Sequence, residues 1–75
     1  MKINLIASNM TELICNDGAV VLFSYSTPVA CKLNGNYYKT SKKWSMTTSK
    51  HINKWLDGVI AGSAEQSFFD NLVSI

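Results

Sequence analysis

Up to Thr40 the apolar positions recur with the period of two that marks β-strands, and beyond Thr47 with the spacing of helices. Ile3, Leu5 and Ala7 alternate with Asn4, Ile6 and Ser8. Leu13 and Cys15 resume the odd phase after Asn9-Met10-Thr11. Residues 2 to 15 therefore read as one strand or two short ones, with a bend or bulge near Asn9. Asn16-Asp17-Gly18 follows as a hairpin signal, because these residue types tolerate positive φ. Ala19 to Tyr25 (AVVLFSY) is a continuous apolar run. It predicts a central strand covered on both faces, at least at its start. Ser26-Thr27-Pro28 breaks that run, since proline removes a ladder donor.

Val29 to Leu33 resumes the alternation, and Asn34-Gly35 then specifies a type I′ turn. That turn pairs Leu33 with Asn36, Lys32 with Tyr37, Cys31 with Tyr38 and Ala30 with Lys39. Opposed residues share a face of the sheet. Val29, Cys31, Leu33 and Tyr38 are expected on the core face, and Lys32, Tyr37 and Lys39 on an outer face.

Thr40 to Met46 leaves the sheet, and Lys42-Lys43-Trp44 lies within it as a basic loop or strand end. Thr47, Thr48 and Ser49 are three candidate N-caps for a following helix. Ile52, Trp55, Leu56 and Val59 form its expected buried stripe, with Lys50, Asn53, Lys54 and Asp57 outside. Gly58 or Gly62 would end it. Ser63 and Gln66 have the spacing of a capping box for a last helix, whose apolar stripe is Phe68, Phe69, Leu72 and Val73. The whole, residues 1–75, is expected to be a single α+β domain. Its architecture is a small antiparallel meander of about four strands, followed by two helices packed on one face.

Composition changes this picture in one respect, its charge. Apolar residues make up 47% of the chain, and charged residues only 16%, against a usual value of about 25%. With so few charges some exposed surface should be apolar, so dimerisation or a partner surface is expected. The charges present are segregated. Six lysines lie between Lys32 and Lys54 without one acid, a local +6, whereas Lys2 and the five acids elsewhere sum to −4. Such asymmetry speaks about partners rather than fold. The absence of arginine argues against bidentate readout of guanine and leaves lysine as a point contact to phosphate.

Lysines interleaved with aromatic rings suit a nucleic-acid backbone: lysine neutralises phosphate, and rings stack on unpaired bases. The candidate binding residues are Lys32, Tyr37, Lys39, Lys42, Lys43, Trp44, Thr48, Lys50 and Lys54. The competing readings are a solvated lysine face protecting sheet edges, or a surface for an acidic protein. The helix start at Thr47-Thr48-Ser49 offers an anion site or ordinary capping. His51 lacks a carboxylate partner and an oxyanion donor set, and the acids are scattered, so no enzyme is expected. Cys15 and Cys31 with one distant histidine do not make a zinc site, and no cofactor is implied. The opening KINLIAS is too soon polar for a secretory signal, and no run approaches a membrane span. Free thiols in a cytosol are the expectation.

From Tyr25 to Leu56 the chain resembles a domain found in small bacteriophage-encoded proteins of uncharacterised function. The matching features are Tyr25 with Thr27 to Ala30, Tyr37 to Thr40, Lys42 to Ser45, and the Thr47 to Leu56 block TTSKHINKWL. The resemblance implies a viral origin and a bacterial host cytoplasm, and brings no activity. It also implies that Thr47, Thr48, Lys50, His51, Asn53 and Trp55 belong to one unit. Two functions are then expected in order. The first is a phage-type nucleic-acid-binding module of low sequence specificity. The second is an accessory protein that binds a host protein through the same basic surface.

Overall fold

The computed structural model describes residues 2–73 and contains one six-stranded sheet and two helices. The strands are β1 (Lys2–Ala7), β2 (Met10–Ile14), β3 (Val20–Ser24), β4 (Thr27–Leu33), β5 (Asn36–Thr40) and β6 (Gly62–Ala64). They lie in sequence order, β1 to β5 as an antiparallel meander and β6 parallel to β5. Helix α1 (Met46–Leu56) lies between β5 and β6, and α2 (Gln66–Leu72) follows.

Turn chemistry builds the meander. Asn34 and Gly35 take φ of 52° and 82°, as a type I′ turn demands, and the β4–β5 register is the one that turn predicts in all four pairs. Asn9 reverses the chain between β1 and β2 at φ 59°. Just before it the register slips by one between Leu5 and Ala7, leaving Ile6 as a bulge residue. At Asn16-Asp17-Gly18 the Asp17 carboxylate accepts from the Ala19 N–H at 3.0 Å, and Gly18 takes φ 90°. The next turn sits earlier than proline suggests. Tyr25 and Ser26 connect β3 to β4, and Pro28 lies inside β4. Pro28 is tolerated there because it stands at a second bulge: Phe23 pairs with Pro28, Leu22 with Ala30, and Val29 is the extra residue. That bulge turns Val29 to the same side as Ala30, away from Cys31 and Leu33.

The two helices cover opposite faces of the sheet, which corrects the expectation that both pack on one. Ile52 and Leu56 of α1 pack with Met10, Leu22, Val29 and Ala30. Phe69 of α2 packs with Val21 and Cys31, flanked by Leu13, Phe23, Leu33 and Tyr38. Val21 and Leu22 are consecutive in one strand and so point to opposite sides. The cause is β6. It makes β5–α1–β6 a crossover unit, which takes the chain along the sheet edge and delivers α2 to the other side. Gly-Ser-Ala has no strand-forming residue, so it reads from sequence as a helix lead-in. Ser63 is in fact paired with Lys39, and α2 is N-capped by Glu65 without a side-chain hydrogen bond. Gly62 allows the close approach: a Cβ there would meet the Tyr38 ring at 3.3 Å.

At the other edge β1 is barely covered, with Ile3 and Leu5 each 72% exposed. An open apolar groove of about 270 Å³ lies beside it, lined by Ile3, Thr11, Leu13, Phe23 and Tyr25. Both thiols are free; Cys15 is half-buried and Cys31 buried in the α2-side core. Burial pushes the Cys31 thiol up from 9.0 to about 11. The folded state thus keeps this proton where the unfolded chain has lost it. The stabilisation is complete below pH 9 and fades as pH rises from 9 to about 11. Urea midpoints measured at pH 8 and 10.5 should therefore fall further for the wild type than for Cys31→Ala.

Candidate nucleic-acid interface

The lysine-rich segment forms a cleft where β5 leaves the sheet and α1 begins. Its volume is about 200 Å³, and its polar lining is Lys39, Thr40, Ser41, Lys42, Lys43, Ser49 and Asn53, with Ile52 beneath. Three lysines and four hydroxyl or amide groups converge there, and no acid is among the described lining residues. Lysine supplies charge, and serine, threonine and asparagine supply neutral donors. Together they suit a phosphate oxyanion.

The turn that carries the lysines is held from below. Ser41 N–H donates to the Ala64 carbonyl at 2.8 Å, and Lys42 N–H to Thr40 Oγ1 at 3.2 Å. Thr40 Oγ1 donates in turn to Gln66 Oε1 at 2.9 Å. Gln66 is the central tie. Its Oε1 also accepts from Trp44 Nε1 at 3.1 Å, and its Nε2 donates to the Pro28 carbonyl at 2.7 Å and to Asp70 Oδ1 at 3.1 Å. Every hydrogen-bonding site of the amide that this geometry can reach is thus used. Lys42 Nζ lies 4.2 Å from the centre of the Trp44 ring, a cation–π contact beside the cleft.

The residues named from sequence divide into three groups. Lys39, Lys42 and Lys43 come together around the cleft, with Trp44 next to them. Lys50 and Lys54 are exposed on α1, each one position along from Ser49 and Asn53. Lys32, Tyr37 and Thr48 lie elsewhere. Lys32 Nζ lies 5.4 Å from the Tyr37 ring centre, and this lysine borders a separate hollow with Asp17, Asn34 and Gly35. Tyr37 does not lie on an open surface. It shares the face that α1 covers and meets Trp55 edge-on at 5.7 Å, so it belongs to the core margin. Thr48 is 6% exposed, with its hydroxyl bonded to Ser24 at 3.0 Å, and is withdrawn from any surface ligand.

Capping explains Thr48. The α1 N-cap is Ser45, earlier than the three expected residues, and its Oγ accepts from Thr48 N–H at 3.2 Å. At the other end, Asp57 and Gly58 take φ of 47° and 84°, ending the helix before Val59. His51 finds a partner that sequence did not suggest, with its Nδ1 2.7 Å from Ser24 Oγ. Ser24 is 2% exposed, and its hydroxyl meets Thr48 and His51 of α1, away from solvent. Ser24, Thr48 and His51 form a polar seam that registers α1 on β3. Trp55 Nε1 adds a bond of 2.7 Å to Glu12 on β2.

Among the described residues no three His, Cys, Asp or Glu side chains gather as a metal site. Among them, too, no helix is long and apolar enough to cross a membrane. The sheet, the two helices and the basic cleft define a small α+β domain with a candidate anion-binding surface. The chain belongs to a family of unknown function, DUF8033, whose model matches residues 1–71. No curated protein and no solved structure matches it.

Proposed function

We propose that the protein is a small phage-type nucleic-acid-binding module, working in the cytoplasm of a bacterial host without catalysing a reaction. The observation that carries this reading is the cleft in which Lys39, Lys42 and Lys43 meet Ser41, Ser49 and Asn53. Lysines that neutralise phosphates there displace the counterions condensed on the nucleic acid, and the release of those ions drives binding. Lys50 and Lys54 extend the positive surface along α1 and would guide the strand. Sequence specificity is low, because no arginine is present to read guanine.

The test is fluorescence anisotropy of labelled oligonucleotides over a range of salt. Affinity should fall linearly in log–log form as salt rises. Changing Lys42 and Lys43 together to alanine should weaken binding roughly 25-fold at about 0.1 M salt, and lower the slope by about 1.4 to 1.8. A slope near zero for the wild type would remove the proposal. Silence on all oligonucleotides, with a lysate partner that survives nuclease, would make the cleft a docking surface for an acidic host protein.

A further inference from the structure

We infer that the nucleic acid this cleft takes is single-stranded, with one backbone phosphate among the lysines and a neighbouring unpaired base on the face of Trp44. This rests on the phosphate-binding reading and adds the state of the strand to it.

The two tryptophans are placed differently. Trp55 is half-buried, bonded to Glu12 and edge-on to Tyr37. Trp44 is 39% exposed and touches the fold through its indole N–H, which Gln66 holds at 3.1 Å. That bond holds the ring by one edge at the surface, and Lys42 Nζ lies over its face. Its neighbour is Lys42, which both lies over the ring and lines the cleft. One side chain thus spans the ring and the anion site, so a phosphate and a ring-stacked base there lie within one or two nucleotides of each other. When Lys42 Nζ turns to a phosphate, it leaves the ring face to a base. A duplex cannot use such a site, because its bases are stacked on one another and present only their edges. An unpaired strand can, and base–aromatic stacking is tolerant of sequence because every base has a π-face. That tolerance agrees with the absence of arginine.

Anisotropy with oligo(dT), oligo(rU) and a duplex of equal length tests this. Tighter binding of either single strand than of the duplex is expected, and the two homopolymers distinguish DNA from RNA. Trp44→Ala should weaken single-strand binding roughly 5- to 150-fold and leave duplex binding unchanged, whereas Trp44→Phe, which keeps a ring but loses the N–H that Gln66 holds, should weaken it by a smaller factor than alanine does. As a direct readout, Trp44 emission in a Trp55→Phe background should be quenched by the single strand and not by the duplex. Equal affinity for duplex, or unquenched emission at saturation, would overturn the inference and leave phosphate binding standing. A wild type that binds no oligonucleotide at low salt would remove both.

Discussion

Phe69→Ala is expected to remove a large share of the protein's stability, about 3–5 kcal/mol. Phe69 is 0% exposed and is the largest of the fully buried side chains. It closes the α2-side core over Val21 and Cys31, and meets the Phe68 ring edge-on at 5.2 Å between centres. Truncating a buried phenylalanine costs about 3–5 kcal/mol, part transfer and part residual cavity. A 75-residue domain has only about 4–11 kcal/mol in total at usual values per residue. The helix has no independent reserve. Spanning Gln66–Leu72, it is too short to persist in water and has no side-chain cap bond, so packing alone keeps it helical. Urea titration followed by circular dichroism should show the midpoint lowered by about a quarter or more. Phe68→Ala, at a half-buried position, should cost less. A loss below about 1 kcal/mol for Phe69→Ala would mean that α2 is not integral to the fold.

Gln66→Leu should have the second largest effect, on stability and on the proposed site together. Leucine has nearly the volume of glutamine and none of its polar atoms. The change strands the Pro28 carbonyl, on a buried residue, takes from the buried Thr40 hydroxyl its acceptor while leaving it the Lys42 N–H, and frees the Trp44 indole N–H. A buried group left unpaired costs about 1–3 kcal/mol and a lost hydrogen bond about 0.5–1.5 kcal/mol, so the total should be about 2–4 kcal/mol. Trp44 then loses its anchor, and its steady-state emission anisotropy should drop in a Trp55→Phe background. Oligonucleotide affinity should fall several-fold while the salt slope stays the same, since no lysine is removed. That pattern separates an orienting role from a charge role. A slope that changes with Gln66→Leu would mean that the lysines themselves had been displaced.

The parts of the fold that were legible in the sequence share one property: they depend on residues close together in the chain. Asn34-Gly35 determines the β4–β5 register because both residues must take positive φ, and the pairs on either side follow by counting. The run from Ala19 predicts a strand covered on both faces, and Val21 and Leu22 are buried against different helices. Ile52 and Leu56 are on the buried side of α1, as the helical period requires. The concentration of lysine on one surface was legible for a similar reason. Lys39, Lys42 and Lys43 lie so near each other in sequence that one turn brings them together.

The features that sequence reading missed depend on contacts across the chain. β6 is three small residues, and only the free edge of β5 makes them a strand. With β6 in place the chain has to cross to the other face, which is why the helices are divided. Gln66 reads as half of a capping box, yet its amide joins β4, β5, Trp44 and α2. His51 and Ser24 are 27 positions apart, and no local pattern pairs them. Tyr37 and Trp44 are both aromatic neighbours of lysine in the sequence. The position of α1 makes the first core margin, and the second, tied to Gln66 of α2, stays 39% exposed. By itself, then, the sequence determined the strand periods, the tight turns and the cluster of positive charge, all of which follow from backbone preference and short-range spacing. Tertiary structure decided which face each helix covers, which side chains close the polar seam and which ring stands open beside the cleft. Those depend on the path of the chain around the sheet edge, and no local residue pattern encodes that path.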